Sequence, residues 1–194
     1  MGRPMADQTL AQDILDLALA FGALQFGEFT LSSGEQSSYY FDGRLLTLSP
    51  AGTNLVAQAL LPLVRSAGAE AVGGPTLAAD PMVASIAMLS GQDRERPIPA
   101  FIVRKDAKAH GMGKQIEGPL LPGVKVAIVD DSCSTGSSMY QAIHAVEAAG
   151  HVVVLVAAIL DRHQGGSEKL RKEGYTFHTL LEADASGIIR PAGE

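Results

Sequence analysis

Two adjacent carboxylates, Asp130 and Asp131, stand between an apolar run and a loop of small hydroxylated residues. The stretch reads Val126-Ala127-Ile128-Val129-Asp130-Asp131-Ser132-Cys133-Ser134-Thr135-Gly136-Ser137-Ser138. In so small a loop, backbone N–H groups converge on an anion. A helix beginning near Gly136 adds free amides and the positive end of its dipole. That combination is a phosphate cradle. Carboxylates repel phosphate, so the acidic pair needs other partners, and ribose hydroxyls or a Mg²⁺ ion suit it. Phosphate, a diol and Mg²⁺ together describe a phosphorylated ribose. The plainer reading is a strand–loop–helix turn whose aspartates only cap the helix. Two other phosphate loops are excluded. The segment His110-Gly111-Met112-Gly113-Lys114-Gln115 fails the Gly-x-x-x-x-Gly-Lys-Ser/Thr pattern at its last position, and no Gly-x-Gly-x-x-Gly string follows a strand.

A second stretch carries the opposite charge. Arg104-Lys105-Asp106-Ala107-Lys108-Ala109-His110-Gly111-Met112-Gly113-Lys114 places four cationic residues and a His beside one acid, in a chain whose formal net charge is -6. Such a run is commonly only a solvated face. Here glycines interrupt the cations and an apolar segment, 98–103, leads directly into them, which suits a loop that closes over an anionic ligand. The other polar residues have plainer readings. His144 belongs on a helix surface, and His151, His163 and His178 lack metal-ligand spacing. Cys133 is structural, although a place near a helix N-terminus lowers a thiol pKa and would favour oxidation.

The elements that must hold these residues follow from periodicity and punctuation. Leu10, Ile14, Leu17 and Phe21 recur at helical spacing, with Thr9 and Gln12 as a capping box. Segments 26–31 and 38–42 read as strands around the turn Ser32-Ser33-Gly34-Glu35. Ser49-Pro50 opens a helix whose apolar side is Leu55, Ala59, Leu60 and Val64, closed by Gly68. A strand at 71–74, a helix at 81–89 and strands at 98–103 and 125–130 follow. The helix 136–149 buries Met139, Ile143 and Val146 and ends at Gly150. A strand at 152–160, a helix near 168–173 and a strand at 176–181 complete the pattern. Strands alternating with helices predict an α/β fold with a central, mostly parallel sheet. The first 48 residues break the alternation and form a small N-terminal hood on a single domain spanning 1–194. Loops following Val72, Val103, Asp131 and Leu160 leave the same sheet edge, where α/β sheets bind ligands.

Composition is that of an ordinary globular chain, 46% hydrophobic and 19% charged over 194 residues. An acidic balance argues against a nucleic-acid surface. The single Cys permits no internal disulfide and suits a reducing cytoplasm. Neither a basic-then-apolar leader nor a bilayer-length apolar run is present, so no membrane partner is expected.

The strand, acidic pair and Ser/Thr-Gly loop, in that order, resemble the 5-phosphoribosyl-1-diphosphate (PRPP) signature of type I phosphoribosyltransferases. Across nearly the whole chain the resemblance is to the orotate phosphoribosyltransferase family. Phe29-Thr30-Leu31-Ser32-Ser33-Gly34 with Ser38-Tyr39-Tyr40-Phe41-Asp42 resembles its N-terminal substrate segment, and Leu46-Thr47-Leu48-Ser49-Pro50 the start of its next helix. Gly73-Gly74-Pro75-Thr76-Leu77-Ala78-Ala79-Asp80-Pro81 looks like its pyrophosphate-side loop. Arg104 to Gly111 is similar to its mobile catalytic loop, and Leu160-Asp161-Arg162 to its orotate-side loop.

The resemblance implies a type I phosphoribosyltransferase fold. It also implies transfer of the phosphoribosyl group from PRPP to orotate, giving orotidine 5′-phosphate and pyrophosphate in pyrimidine (UMP) biosynthesis, with Mg²⁺ as cofactor. Lys105, Lys108, His110, Asp130 and Asp131 are then catalytic. PRPP is held by these, by Arg104, and by Ser132, Cys133, Ser134, Thr135, Gly136, Ser137 and Ser138. Mg²⁺ arrives with PRPP and meets Asp130 and Asp131 directly or through water. Orotate falls to Ser134, Arg162, Tyr40 and Phe41. Arg162 is a planar donor that fits a carboxylate. Tyr40 and Phe41 are either ring-stacking partners or ordinary core aromatics. The family's loop reaches a neighbouring subunit, implying a homodimer; a cytoplasmic location is expected from the single Cys.

Departures from the family pattern are Ser132 and Cys133 where apolar residues are common, Ser134 for Thr, Glu35-Gln36 for a basic pair, and no Lys at Ser32 or Ala78. The alternatives are transfer to another base, a catalytically silent PRPP-sensing regulator, and a phospho-acceptor domain using Asp130 or Asp131. The last explains neither the Ser/Gly loop nor the basic one.

Overall fold

A computed structural model describes residues 8–30, 34, 36–105 and 115–193. The chain begins with α1 (Gln8–Ala20), which buries Ala11, Ile14, Leu15 and Ala18. Thr9 therefore lies inside the helix rather than capping it. Phe21 lies past the last turn and is exposed, so the apolar stripe ends one turn earlier than its spacing suggests. An antiparallel hairpin follows, β1 (Leu24–Thr30) and β2 (Gln36–Phe41), then a five-residue helix, α2 (Gly43–Thr47), that sequence periodicity is too short to reveal. Asp42 caps α2, its carboxylate accepting the Arg44 N–H at 3.1 Å.

Local signals explain the next helix well. In α3 (Pro50–Ser66), Ser49 Oγ accepts the Gly52 N–H at 3.0 Å, proline stands in the first turn, and Gly68 follows the end. Then come β3 (Ala71–Pro75), α4 (Asp80–Ser90), β4 (Ala100–Val103) and the two-residue β5 (Ile116–Glu117). The remaining elements are β6 (Lys125–Cys133), α5 (Ser137–Ala148), β7 (Val152–Asp161), α6 (Gly166–Lys172), β8 (Phe177–Ala183) and β9 (Ile189–Pro191). The edge strands β5 and β9 are too short to carry a pattern in sequence.

Seven strands form one sheet in the order β5-β4-β3-β6-β7-β8-β9. The β3–β4, β3–β6, β6–β7 and β7–β8 pairs are parallel, and only the outer β4–β5 and β8–β9 pairs are antiparallel. Both faces are covered. Val126 and Ile128 of β6 pack with Met139, Ile143 and Val146 of α5 on one side. Ala127 and Val129 join Val56, Leu60, Met82 and Ile86 of α3 and α4 on the other. Alternate residues facing two apolar layers is why the strand reads as continuously hydrophobic. Ile14 of α1 and Phe41 of β2 belong to the second layer, so helix and hairpin rest on the α3 side.

Strand order also locates the site. After β3 the chain steps outward to β4, then returns to the far side of β3 as β6. The direction of winding switches between β3 and β6, and their C-terminal ends diverge into a crevice there.

Candidate active site

That crevice is a cleft of about 320 Å³ lined by the loop after β3 (Pro75, Thr76, Leu77, Ala78) and by residues of the β6–α5 segment between Asp130 and Ser138. Strand β6 continues through Cys133, three residues further than the expected 125–130, so Asp131 as well as Asp130 is a strand residue. Pairing with β7 as far as Cys133 opposite Asp161 holds them there. The aspartates are thus rigid parts of the sheet and not caps of the following helix.

Asp130 is 4% exposed. Its Oδ2 accepts from Ser138 Oγ at 2.7 Å and its Oδ1 from the Asp131 N–H at 2.9 Å. Burial, reinforced by the Asp131 charge, pushes its pKa up to about 7 against the pull of those bonds. Burial also raises Asp131, whose Oδ1 accepts from Ser132 Oγ at 3.3 Å. A buried carboxylate beside a half-buried one is disfavoured by the neighbouring charge, so a cation or a hydroxyl donor at this point relieves both.

The turn beyond them is held open by glycine. Gly136 has φ +77°, and it begins α5 with no side chain capping the first amides. Those N–H groups point into the cleft end of the helix, where an anion is favoured. Thr135 Oγ1 and Ser137 Oγ share a hydrogen bond at 2.9 Å on the same turn. Cys133 is fully buried, and burial with nearby acids pushes its thiol up to about 12. The dipole effect expected to lower it is outweighed.

Opposite, Thr76 Oγ1 donates to Asp80 Oδ2 at 2.7 Å, while Asp80 Oδ1 is buried with no hydrogen-bond partner among the described residues. Ala78 lines the cleft.

Arg162 lies on the loop after β7. Its backbone N–H donates to Cys133 O at 2.8 Å, and the Gly166 N–H donates to Ser134 O at 2.9 Å. The β7 loop is therefore fastened to the phosphate turn. The guanidinium sits 5.3 Å from the Tyr39 ring centroid, with Nη2 3.4 Å from Phe41 O and Nε without a hydrogen-bond partner among the described residues. Of the expected aromatics, Phe41 has its side chain in the core and offers its carbonyl. Tyr40 points outward, 39% exposed, with Phe29 at 5.8 Å between ring centroids. Tyr39 is the aromatic under Arg162. Strand alternation puts Tyr39 and Phe41 on one face of β2, and only the fold shows that this face meets Arg162.

The basic loop is rooted beside this cleft. The Arg104 N–H donates to Gln115 O at 2.9 Å and Gln115 Nε2 to Arg104 O at 3.0 Å, closing the loop's neck. Gln141 Nε2 of α5 donates to Lys105 O. Lys105 lines a second hollow with Pro75, Thr76, Ser137 and Ser138, adjoining the main cleft. Lys108 and His110 fall outside the described residues, as do Ser32 and Glu35.

No protein-family model matches the chain. It is 46% identical over 172 residues to the orotate phosphoribosyltransferase of Rhodopirellula baltica, covering 86% of this chain and 89% of that one. Among solved structures, the Mycobacterium tuberculosis orotate phosphoribosyltransferase in complex with Fe(III) dicitrate superposes with a TM-score of 0.76 at 38% identity, over 93% of this chain and 98% of that one. The same M. tuberculosis protein in complex with PRPP gives 0.71 at 34% identity, over 90% and 94%. Identity of this extent, spread over nearly the full length and joined to a cleft at the β3–β6 switch point, shows that the chain belongs to the orotate phosphoribosyltransferases.

Proposed function

We propose that this chain transfers the 5-phosphoribosyl group of PRPP to orotate, forming orotidine 5′-phosphate and releasing pyrophosphate in pyrimidine (UMP) biosynthesis. One observation carries the reading: an acidic pair, buried at Asp130 and half-buried at Asp131, and an uncapped Ser/Thr-Gly turn meet in a single cleft at the sheet's switch point. In the reaction the bond from the anomeric carbon to pyrophosphate breaks, and a bond to a ring nitrogen of orotate forms. The ribosyl centre becomes cation-like while charge gathers on the leaving group, as in glycoside cleavage.

The turn from Ser132 to Ser138 holds the 5′-phosphate through its amides and hydroxyls. Asp130 and Asp131 bind the ribose hydroxyls. The same pair fits Mg²⁺: two carboxylates with raised pKa values would gain by facing a divalent ion, and Asp130 and Asp131 would hold it directly or through water. When bound, the ion neutralises charge on the leaving pyrophosphate. Arg104, Lys105, Lys108 and His110 serve the same charge, stabilising it more in the transition state than in the ground state. Arg162 receives the orotate carboxylate over Tyr39, with Ser134 and the Phe41 backbone nearby. The enzyme works as a homodimer whose basic loop enters the partner's site, and it resides in the cytoplasm. Among the described residues no helix is long and apolar enough to cross a membrane.

A spectrophotometric assay with orotate, PRPP and Mg²⁺ tests this. Orotate should be consumed only when PRPP is present, and uracil, which lacks the carboxylate, should be a poor substrate. Equal use of uracil and orotate, or no consumption of either, overturns it.

A further inference from the structure

His163 follows Arg162, and its backbone is unusual for its type. Its φ of +50° lies in the left-handed region that non-glycine residues seldom occupy. Three carboxylates from three elements surround the ring. Nδ1 is 3.2 Å from Glu168 Oε1 of α6 and 3.6 Å from Asp161 Oδ2 at the end of β7. Nε2 is 3.6 Å from Glu182 Oε2 of β8. Asp161 is fully buried; its Oδ1 accepts the His163 N–H at 2.9 Å, and its Oδ2 has no hydrogen-bond partner among the described residues. The other charges facing the cluster are Arg190 of β9, 3.3 Å from Glu182 Oε1, and Arg162 itself, which is turned towards Tyr39 and the Phe41 carbonyl. Asp184, on the turn between β8 and β9, lines the same hollow as His163 but is taken up by Ser186 and the Ile188 N–H. A neutral imidazole would leave Asp161 buried without a cation, an expensive arrangement. The carboxylate cage therefore favours a charged ring.

We propose that His163, as an imidazolium, is a positioning residue that clamps the Arg162 loop onto Asp161, Glu168 and Glu182 and so holds the guanidinium where the carboxylate of the base docks. The proposal rests on the reading that Arg162 receives that carboxylate. Burial opposes the charge, but the Glu168 hydrogen bond, Asp161 and Glu182 outweigh it and hold the ring's pKa above the usual His value. A raised pKa makes the clamp complete at low pH and loosens it as pH rises through that value.

The test is the KM for orotate across pH in the full-length enzyme, with kcat and the KM for PRPP measured alongside. In the wild type the orotate KM should rise about 3- to 10-fold between about pH 6 and about pH 9, the loss expected when a charge-assisted contact is released. His163→Gln should start at the raised value and show no step, with kcat and the PRPP KM within about 2-fold of wild type. Glu168→Gln, which keeps the ring, should move the step to lower pH, and an NMR titration of the imidazole should move with it. Superimposable orotate profiles for wild type and His163→Gln, or an unmoved step in Glu168→Gln, overturn the clamp. Arg162→Ala separates two failures. An unchanged orotate KM in that variant brings down the base-site reading and the clamp's purpose with it. A raised one, beside an unaltered His163→Gln profile, brings down the clamp alone.

Discussion

The hydrogen bonds to the Asp130 carboxylate come from Asp131 and Ser138, one and eight residues along the chain, whereas Arg162 reaches Phe41, 121 positions away. The two ends of the cleft are thus built differently. At the phosphate end, a central strand and the helix after it supply strand, turn and helix N-terminus from one continuous segment, packed between two apolar layers. At the base end, a β7 loop borrows an aromatic face and a carbonyl from β2 of the hood. A locally built end is rigid wherever the sheet is intact. A composite end is right only when the hood is docked, so under the proposed assignment base choice can be tuned there separately from PRPP binding.

Removing the charges at the rigid end should have the largest effect. Asp130→Asn with Asp131→Asn keeps shape but takes both carboxylates from the cleft, and turnover should fall by about 10²-fold or more with the fold intact. Wild-type turnover at saturating Mg²⁺ would remove the pair from the mechanism. The same variant tests loop sharing when exchanged with Lys105→Ala/Lys108→Ala. Random mixing of a two-fold dimer makes roughly half heterodimers, each with one complete site, so about a quarter of wild-type activity should return. No recovery despite proven subunit exchange refutes the shared loop.

A smaller effect probes how separate the ends are. Gly166, which starts α6 on the base side, lies against the phosphate turn: a Cβ there would stand 2.5 Å from Ser134 O and 2.6 Å from Gly136 N. Gly166→Ala should cost about 1–3 kcal/mol of stability, as overpacking does, and raise the KM for PRPP more than that for orotate. A rise confined to orotate would show that the turn does not depend on the β7 loop.

The smallest expected signal is a pH dependence of stability in the ligand-free protein. The folded pKa of Asp130, about 7, stands above its ordinary value of 3.8. Between those values the folded state keeps a proton that the unfolded chain has lost. The group's contribution is therefore full below the ordinary value and is lost as pH rises through about 7. Melting temperatures from about pH 4 to about pH 8 should decline less steeply for Asp130→Asn than for wild type, because the amide has no charge to bury. Parallel curves would mean that the cleft solvates Asp130 far better than its burial implies.

Sequence by itself determined the phosphate end and most of the elements. An apolar run long enough for a strand buried on both faces, two acids and a Ser/Thr-Gly turn are short-range signals, and so are Ser49-Pro50 before α3 and Gly150 after α5. These work because pleat, cap and turn chemistry are set by residues only a few positions apart. Tertiary structure decided the rest. Periodicity tells which faces are apolar but not which strand lies beside which, so the β3–β6 switch point came only from the fold. Helix α2 and strands β5 and β9 are too short for a period and exist because their neighbours pair or pack with them. Tyr39, rather than Tyr40, meets Arg162 because the hood docks with that face inward. The raised pKa values of Asp130 and Cys133, and the three-carboxylate cage of His163, sum the burial and charge of segments far apart in the chain. Desolvation depends on everything that surrounds a group, and that is assembled only when the chain has folded.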